Sequence, residues 1–124
     1  VDDLVQWLGE QLKEDERTAR ATTWDGSGNK LSWELAASAT IDVGGDEFYV
    51  GDRTIANHMM AWDPARVLRE IEAKRQIIEQ HKRYAAERRR MMGGWDPQSD
   101  DSPILAALAT AYADRPGYRE EWRP

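Results

Sequence analysis

The chain has 124 residues, no cysteine, 32% charged residues and a net charge of −6. That length suits one domain with a modest core. The missing cysteines exclude disulfide frameworks and every cysteine-based zinc site, and the charge share predicts a thin core under a wet surface. No apolar run approaches the roughly 18 residues of a spanning helix, and the acidic start lacks the basic-then-apolar order of a secretion signal. A soluble, cytoplasmic protein with no membrane partner is the expectation.

Residues 1–21 read as a helix capped by Asp2 or Asp3. Leu4, Val5, Leu8, Leu12 and Ala19 form its apolar stripe, Trp7 lies on the flank, and Glu10, Lys13, Glu14, Asp15, Glu16 and Arg17 supply the outer face. The pattern changes over 22–52 to short strands and turns. Leu31, Trp33 and Leu35 alternate, Ile41-Asp42-Val43 and Glu47 to Val50 follow, and turn clusters fall at 25–29 and 44–46. Such a meander is marginal alone and needs the helices, with Trp24, Trp33 and Phe48 as the expected contacts. Gly51 to Ala61 is either a short helix (Thr54 to Met60) or a loop, with Ile55, Met59 and Trp62 spaced to bury one side.

The longest helix covers 63–92. Asp63 is a good N-cap and Pro64 occupies the first turn, where its missing N–H costs nothing. No glycine or proline interrupts the run before Gly93-Gly94, giving about 43 Å of helix at 1.5 Å per residue. Val67, Leu68, Ile71, Ile78 and Ala85 form its apolar seam, with Ile77 and Tyr84 on the margins, and its last two turns are expected to project. A loop at 93–101 precedes a helix at 102–113, capped by Ser102 with Pro103 at its first position; Ile104, Leu105, Leu108, Ala111 and Tyr112 make its expected apolar face. The tail, 114–124, keeps Tyr118 and Trp122 four residues apart, suited to anchor one turn. The fold class is therefore α+β, mainly α, in a single domain over 1–124: an N-terminal helix, a small antiparallel β meander, one long central helix and a short C-terminal helix.

Two stretches resemble a family of small actinobacterial and actinophage proteins known as a domain of unknown function. They are Asp-Pro-Ala-Arg-Val-Leu-Arg-Glu-Ile-Glu-Ala-Lys-Arg (63–75) and Tyr-Ala-Asp-Arg-Pro-Gly-Tyr-Arg-Glu-Glu-Trp-Arg-Pro (112–124). Asp2-Asp3-Leu4-Val5, Asp15-Glu16 and His81 extend the likeness over most of the chain. The resemblance implies no activity. Relatives often carry cysteines between the long and final helices, and histidines near the long helix, a set suited to zinc. Here Ser102 stands roughly where such a cysteine falls, so no metal and no cofactor are expected.

The residues themselves suggest no catalyst. His58 and His81 lie 23 residues apart and share no ligand spacing, so both read as ordinary polar side chains. No Gly-x-Ser-x-Gly elbow exists, and Gly26-Ser27-Gly28 and Gly44-Gly45 precede strands rather than the helix a phosphate cradle requires. The adjacent acids Asp2/Asp3, Asp100/Asp101 and Glu120/Glu121 read as solubility or helix-end charges. Charge is uneven: residues 63–92 hold nine bases against five acids, whereas each remaining third of the chain is acidic. Arg83, Tyr84, Arg88, Arg89 and Arg90, with Trp95 beyond them, are the candidate partner-binding residues. Six tryptophans also favour interfaces. Two functional readings stand. One is a non-enzymatic accessory or regulatory factor of phage derivation that works through a protein partner or a homodimer along the long helix. The alternative is a nucleic-acid-associated regulator using Arg83 and Arg88 to Arg90, against which stands a pI near 4.9.

Overall fold

The computed structural model describes residues 3–22, 31–36, 39–43, 46–91 and 102–124. Its elements are α1 (Asp3–Ala21), β1 (Glu34–Ala36), β2 (Thr40–Asp42), β3 (Glu47–Tyr49), α2 (Arg53–Ala61), α3 (Pro64–Met91), α4 (Pro103–Thr110) and a 3-10 turn at Glu120–Trp122. This is the expected α+β, mainly helical order. The chain divides into two compact units, Glu14–Ile71 and Val1–Lys13 with Glu72–Pro124.

In the unit Glu14–Ile71 the three strands form an antiparallel sheet in the order β1-β2-β3, with Ile41 opposite both Leu35 and Phe48. Ala39, Ile41 and Val43 bury against Ala56 of α2, and Trp33, Leu35, Val50 and Met60 pack around them. The strand expected from the Leu31–Leu35 alternation begins only at Glu34. Leu31 to Trp33 instead serve the start of α3: Ala65 N donates to Leu31 O at 3.0 Å and Trp33 N donates to Asp63 Oδ2 at 3.0 Å. A helix start has donors without intrahelical partners, and this segment supplies an acceptor for one of them. Ala39, which precedes β2, has φ +58°. The turn at 25–29 and Trp24 lie outside the described residues, as do Gly44 and Gly45 of the second turn.

Two burial expectations are corrected here. Phe48 is 51% exposed, because β3 is an edge strand and α2 packs chiefly on β1 and β2. α2 is a helix, capped by Asp52 through Ile55 N at 2.9 Å. Yet Ile55, Met59 and Trp62 face outward, at 55%, 37% and 49% exposure. Ala56 and Met60 take the inner face instead, one residue and about 100° further round the helix. The small Ala56 lets the helix backbone lie close to the sheet, which a bulkier inner row would prevent.

In the other unit, Leu4, Leu8 and Leu12 of α1 are fully buried, with Trp7 nearly so. Ile78 and Ala85 on α3 are buried at the predicted seven-residue spacing. α4 is capped as expected: Leu105 N donates to Ser102 Oγ at 3.3 Å and Pro103 opens the helix. Its inner face is Leu105, Ala106 and Ala109, while Ile104 is 56% exposed and Ala111 also faces out. The helix stops at Thr110 rather than 113, and Tyr112 N donates to Ala109 O at 2.9 Å in a tighter turn. That ends the helical period that would have turned Ala111 inward. Replacing Ser102 with alanine is expected to cost about 1 kcal/mol in urea unfolding, and replacing it with glycine only a few tenths.

The tail closes on α1. Trp7 Nε1 donates to Pro116 O at 3.0 Å, and Arg119 pairs with Asp3 at 3.2 Å. Trp7, Tyr118 and Trp122 form a three-ring cluster with centroids 5.4 to 5.9 Å apart, within the range favoured by offset and edge-to-face pairs. Gly117 sits at φ +91°, and a Cβ there would lie 2.6 Å from Trp7 Nε1. The predicted anchoring by Tyr118 and Trp122 is therefore present, with Trp7 as the third member. Beside it, Arg123 holds the Glu120 carboxyl below the usual carboxylate range through a hydrogen bond and its charge.

Candidate interaction face

α3 beyond Ile71 has two different sides. The inner side carries Ile78 and Ala85, and its polar residues are tied to α4 and the turn at its C-terminal end. Lys74 Nζ donates to Tyr112 Oη at 3.0 Å and lies 5.1 Å from the ring centroid. His81 Nδ1 lies 3.4 Å from Ser102 Oγ. The histidine and the serine are thus neighbours. Among the described residues, however, no group of three or more His, Cys, Asp or Glu side chains comes together as a metal site. His58 is exposed on α2.

The outer flank carries Ile77, Tyr84 and Met91, exposed by 40%, 58% and 75%. Seven residues make nearly two full helical turns, so the three side chains form one stripe. Its length is about 21 Å over 14 residues at 1.5 Å each. Residues 77–91 hold five bases (Lys82, Arg83, Arg88, Arg89, Arg90) against two acids (Glu79, Glu87). The stripe is apolar along its line, with Arg83, Arg88 and Arg90 on its borders and Lys82 and Arg89 turned away from it.

The arginines differ in what holds them. Arg88 Nη1 donates to Tyr84 Oη at 2.9 Å, with its guanidinium 5.6 Å from that ring's centroid. This pair sits at i, i+4, the spacing at which helical side chains meet, and it restrains Tyr84 on the surface. Arg90 forms an ion pair with Glu87, while Arg83 and Arg89 are exposed. Within the last two turns Ala85 of the predicted seam is buried, at 8% exposure, and Arg88 is half-buried. The outer face of these turns does project. Trp95 lies outside the described residues.

The sequence singles out Arg83, Tyr84 and Arg88 to Arg90, and the fold places all five in the last nine residues of α3. It misses Ile77 and Met91. The 77/84/91 spacing was the available signal, masked by the stronger buried seam at 71/78/85.

A second concavity lies within Glu14–Ile71. It measures about 300 Å³ and is lined by Asp15, Thr18, Ala19, Thr22, Trp33, Trp62, Pro64 and Val67. The Arg66 guanidinium lies 4.6 Å from the ring of the lining residue Trp62, and Arg66 Nε donates to Glu70 Oε1 at 3.0 Å. No helix among the described residues is long and apolar enough to cross a membrane.

The chain belongs to a family of unknown function (DUF6221), whose model matches residues 1–124. No curated protein and no solved structure matches it.

Proposed function

We propose that the protein is a non-enzymatic accessory factor that acts by protein–protein contact, using the outer flank of α3. The observation that carries this reading is the stripe of Ile77, Tyr84 and Met91, three large apolar side chains aligned and exposed on one helix. Isolated exposed apolar residues need no explanation, whereas an aligned row at seven-residue spacing is the form a helix presents to a partner. Restraint of Tyr84 by Arg88 lowers the entropy lost when that ring is covered. Tyrosine and arginine are also the side chains that most often dominate binding energy.

The apolar row favours a protein over nucleic acid. A helix that binds phosphates needs cations along the contacted line, and here the line itself is apolar while the cations border it.

A photo-crosslinking residue at position 84, with a control at Glu79, tests this in host cells. The expected result is a discrete protein adduct at 84 that is absent at 79. Adducts to nucleic acid, or adducts that do not distinguish 84 from 79, would contradict the reading.

A further inference from the structure

Taking that contact face as given, we infer that its occupant is an acidic amphipathic helix of another protein, and not a second copy of this chain. Charge and pattern together point this way. A pairing of two α3 helices along 77/84/91 would bring together two copies of the bordering Arg83, Arg88 and Arg90, with Glu87 as the one bordering acid of each. Like charges flanking a helical seam disfavour pairing and are a usual device for setting partner choice.

The other helices of a second copy do not supply the complement. The large apolar residues of α1 in Leu4, Leu8 and Leu12 are fully buried. α4 offers Ile104 as its one exposed large apolar side chain. α2 does expose Ile55, Met59 and Trp62 at i, i+4, i+7, but from Arg53 to Ala61 it carries an arginine, a histidine and no acid. A basic-bordered stripe meets no acidic-bordered one among these helices.

The complement is a helix with apolar residues repeating every three or four positions and glutamate or aspartate on the flanks. Laid along α3, such a helix covers Ile77, Tyr84 and Met91 with its seam and places its acids against Arg83 and, at the helix end, Arg88 and Arg90. Arg88 already engages Tyr84 and Arg90 pairs with Glu87, so Arg83 is the cation on which the pairing chiefly draws.

The test is a fluorescence-anisotropy titration of the full chain with three labelled probes. They are a 21-residue helical peptide with leucine at the seam and glutamate on the flanks, the same peptide with lysine flanks, and a short DNA duplex. The glutamate-flanked peptide should bind, the lysine-flanked one should not, and affinity should fall with salt. Ile77→Ser and Tyr84→Ser should each weaken binding about tenfold or more, with helix content unchanged by circular dichroism. Arg83→Gln should remove most of the salt dependence, and Lys82→Gln, on the far side of the helix, should not.

Equal binding of both peptides, or glutamate-peptide binding indifferent to Ile77→Ser and Tyr84→Ser, overturns the inference. If sedimentation instead shows a dimer that Ile77→Ser dissolves, the acidic-helix inference fails while the protein-contact reading survives. If only the duplex binds, or if the chain stays monomeric and neither peptide binds, both fail.

Discussion

Trp122→Ala is expected to lower unfolding stability by about 3–5 kcal/mol, the usual cost of emptying a buried aromatic site. Trp122 is 3% exposed and joins Trp7 and Tyr118 in the ring cluster that holds the tail to α1. Its Nε1 is buried and has no hydrogen-bond partner among the described residues. Trp122→Phe removes that unpaired donor along with some ring volume, so it should cost less than half as much as the alanine change. The same clamp can be loaded from the other side. Gly117→Ala should cost about 1–2 kcal/mol for a left-handed backbone and about 1–3 kcal/mol more for overpacking. The second part arises because the new Cβ would stand 2.6 Å from Trp7 Nε1. Adding Trp7→Phe removes that atom, so the double variant should be about 1 kcal/mol less destabilised than the separate effects predict. Urea unfolding of these variants, with Trp7→Phe alone completing the cycle, measures the differences; full additivity would mean that Gly117 and Trp7 do not meet.

Asp63→Ala is the second large effect, about 3 kcal/mol, because one buried carboxylate serves two elements. Oδ1 accepts from Arg66 N at 2.8 Å and caps α3, while Oδ2 accepts from Trp33 N at 3.0 Å. Asp63 is 8% exposed, so water is poorly placed to replace it. Loss of a cap is worth about 1–2 kcal/mol and a stranded buried donor about 1–3 kcal/mol. Asparagine keeps one acceptor oxygen, so Asp63→Asn should retain one of the two bonds and cost about half as much. Amide exchange gives the cleaner readout. In Asp63→Ala the Trp33 and Arg66 amides should both exchange faster, and in Asp63→Asn only one should. If Trp33 is unaffected in Asp63→Ala, the bond between the strand entry and the helix start is wrong.

Legibility of the fold varied with how local its causes are. α3 could be read from Asp63-Pro64 at one end and the uninterrupted run to Met91, because caps and breakers act within one turn. Ser102-Pro103 announced α4 for the same reason. The role of Asp63 as a cap was visible, but its second bond to Trp33, thirty residues away, was not. Local alternation made Leu31 to Leu35 look like a strand, and the unsatisfied start of α3 claimed its first half. On α2 and α4 the largest apolar residues looked like the buried rows, yet Ala56, Ala106 and Ala109 went inside. Small side chains permit close approach, a benefit that hydrophobic spacing alone does not register. The candidate face was half legible: composition marked Arg83, Tyr84 and the terminal arginines. Ile77 and Met91 became part of it only once Ile71, Ile78 and Ala85 were known to face inward.

Partner contact through the outer flank of α3 is tested most directly by a backbone-amide NMR titration of the full chain with the glutamate-flanked peptide. The predicted result is a set of shift changes concentrated in residues 77–91 and abolished by Tyr84→Ser, with the amides of α2 unchanged. Changes centred on Arg53–Ala61, or none within 77–91 at saturating peptide, would contradict it.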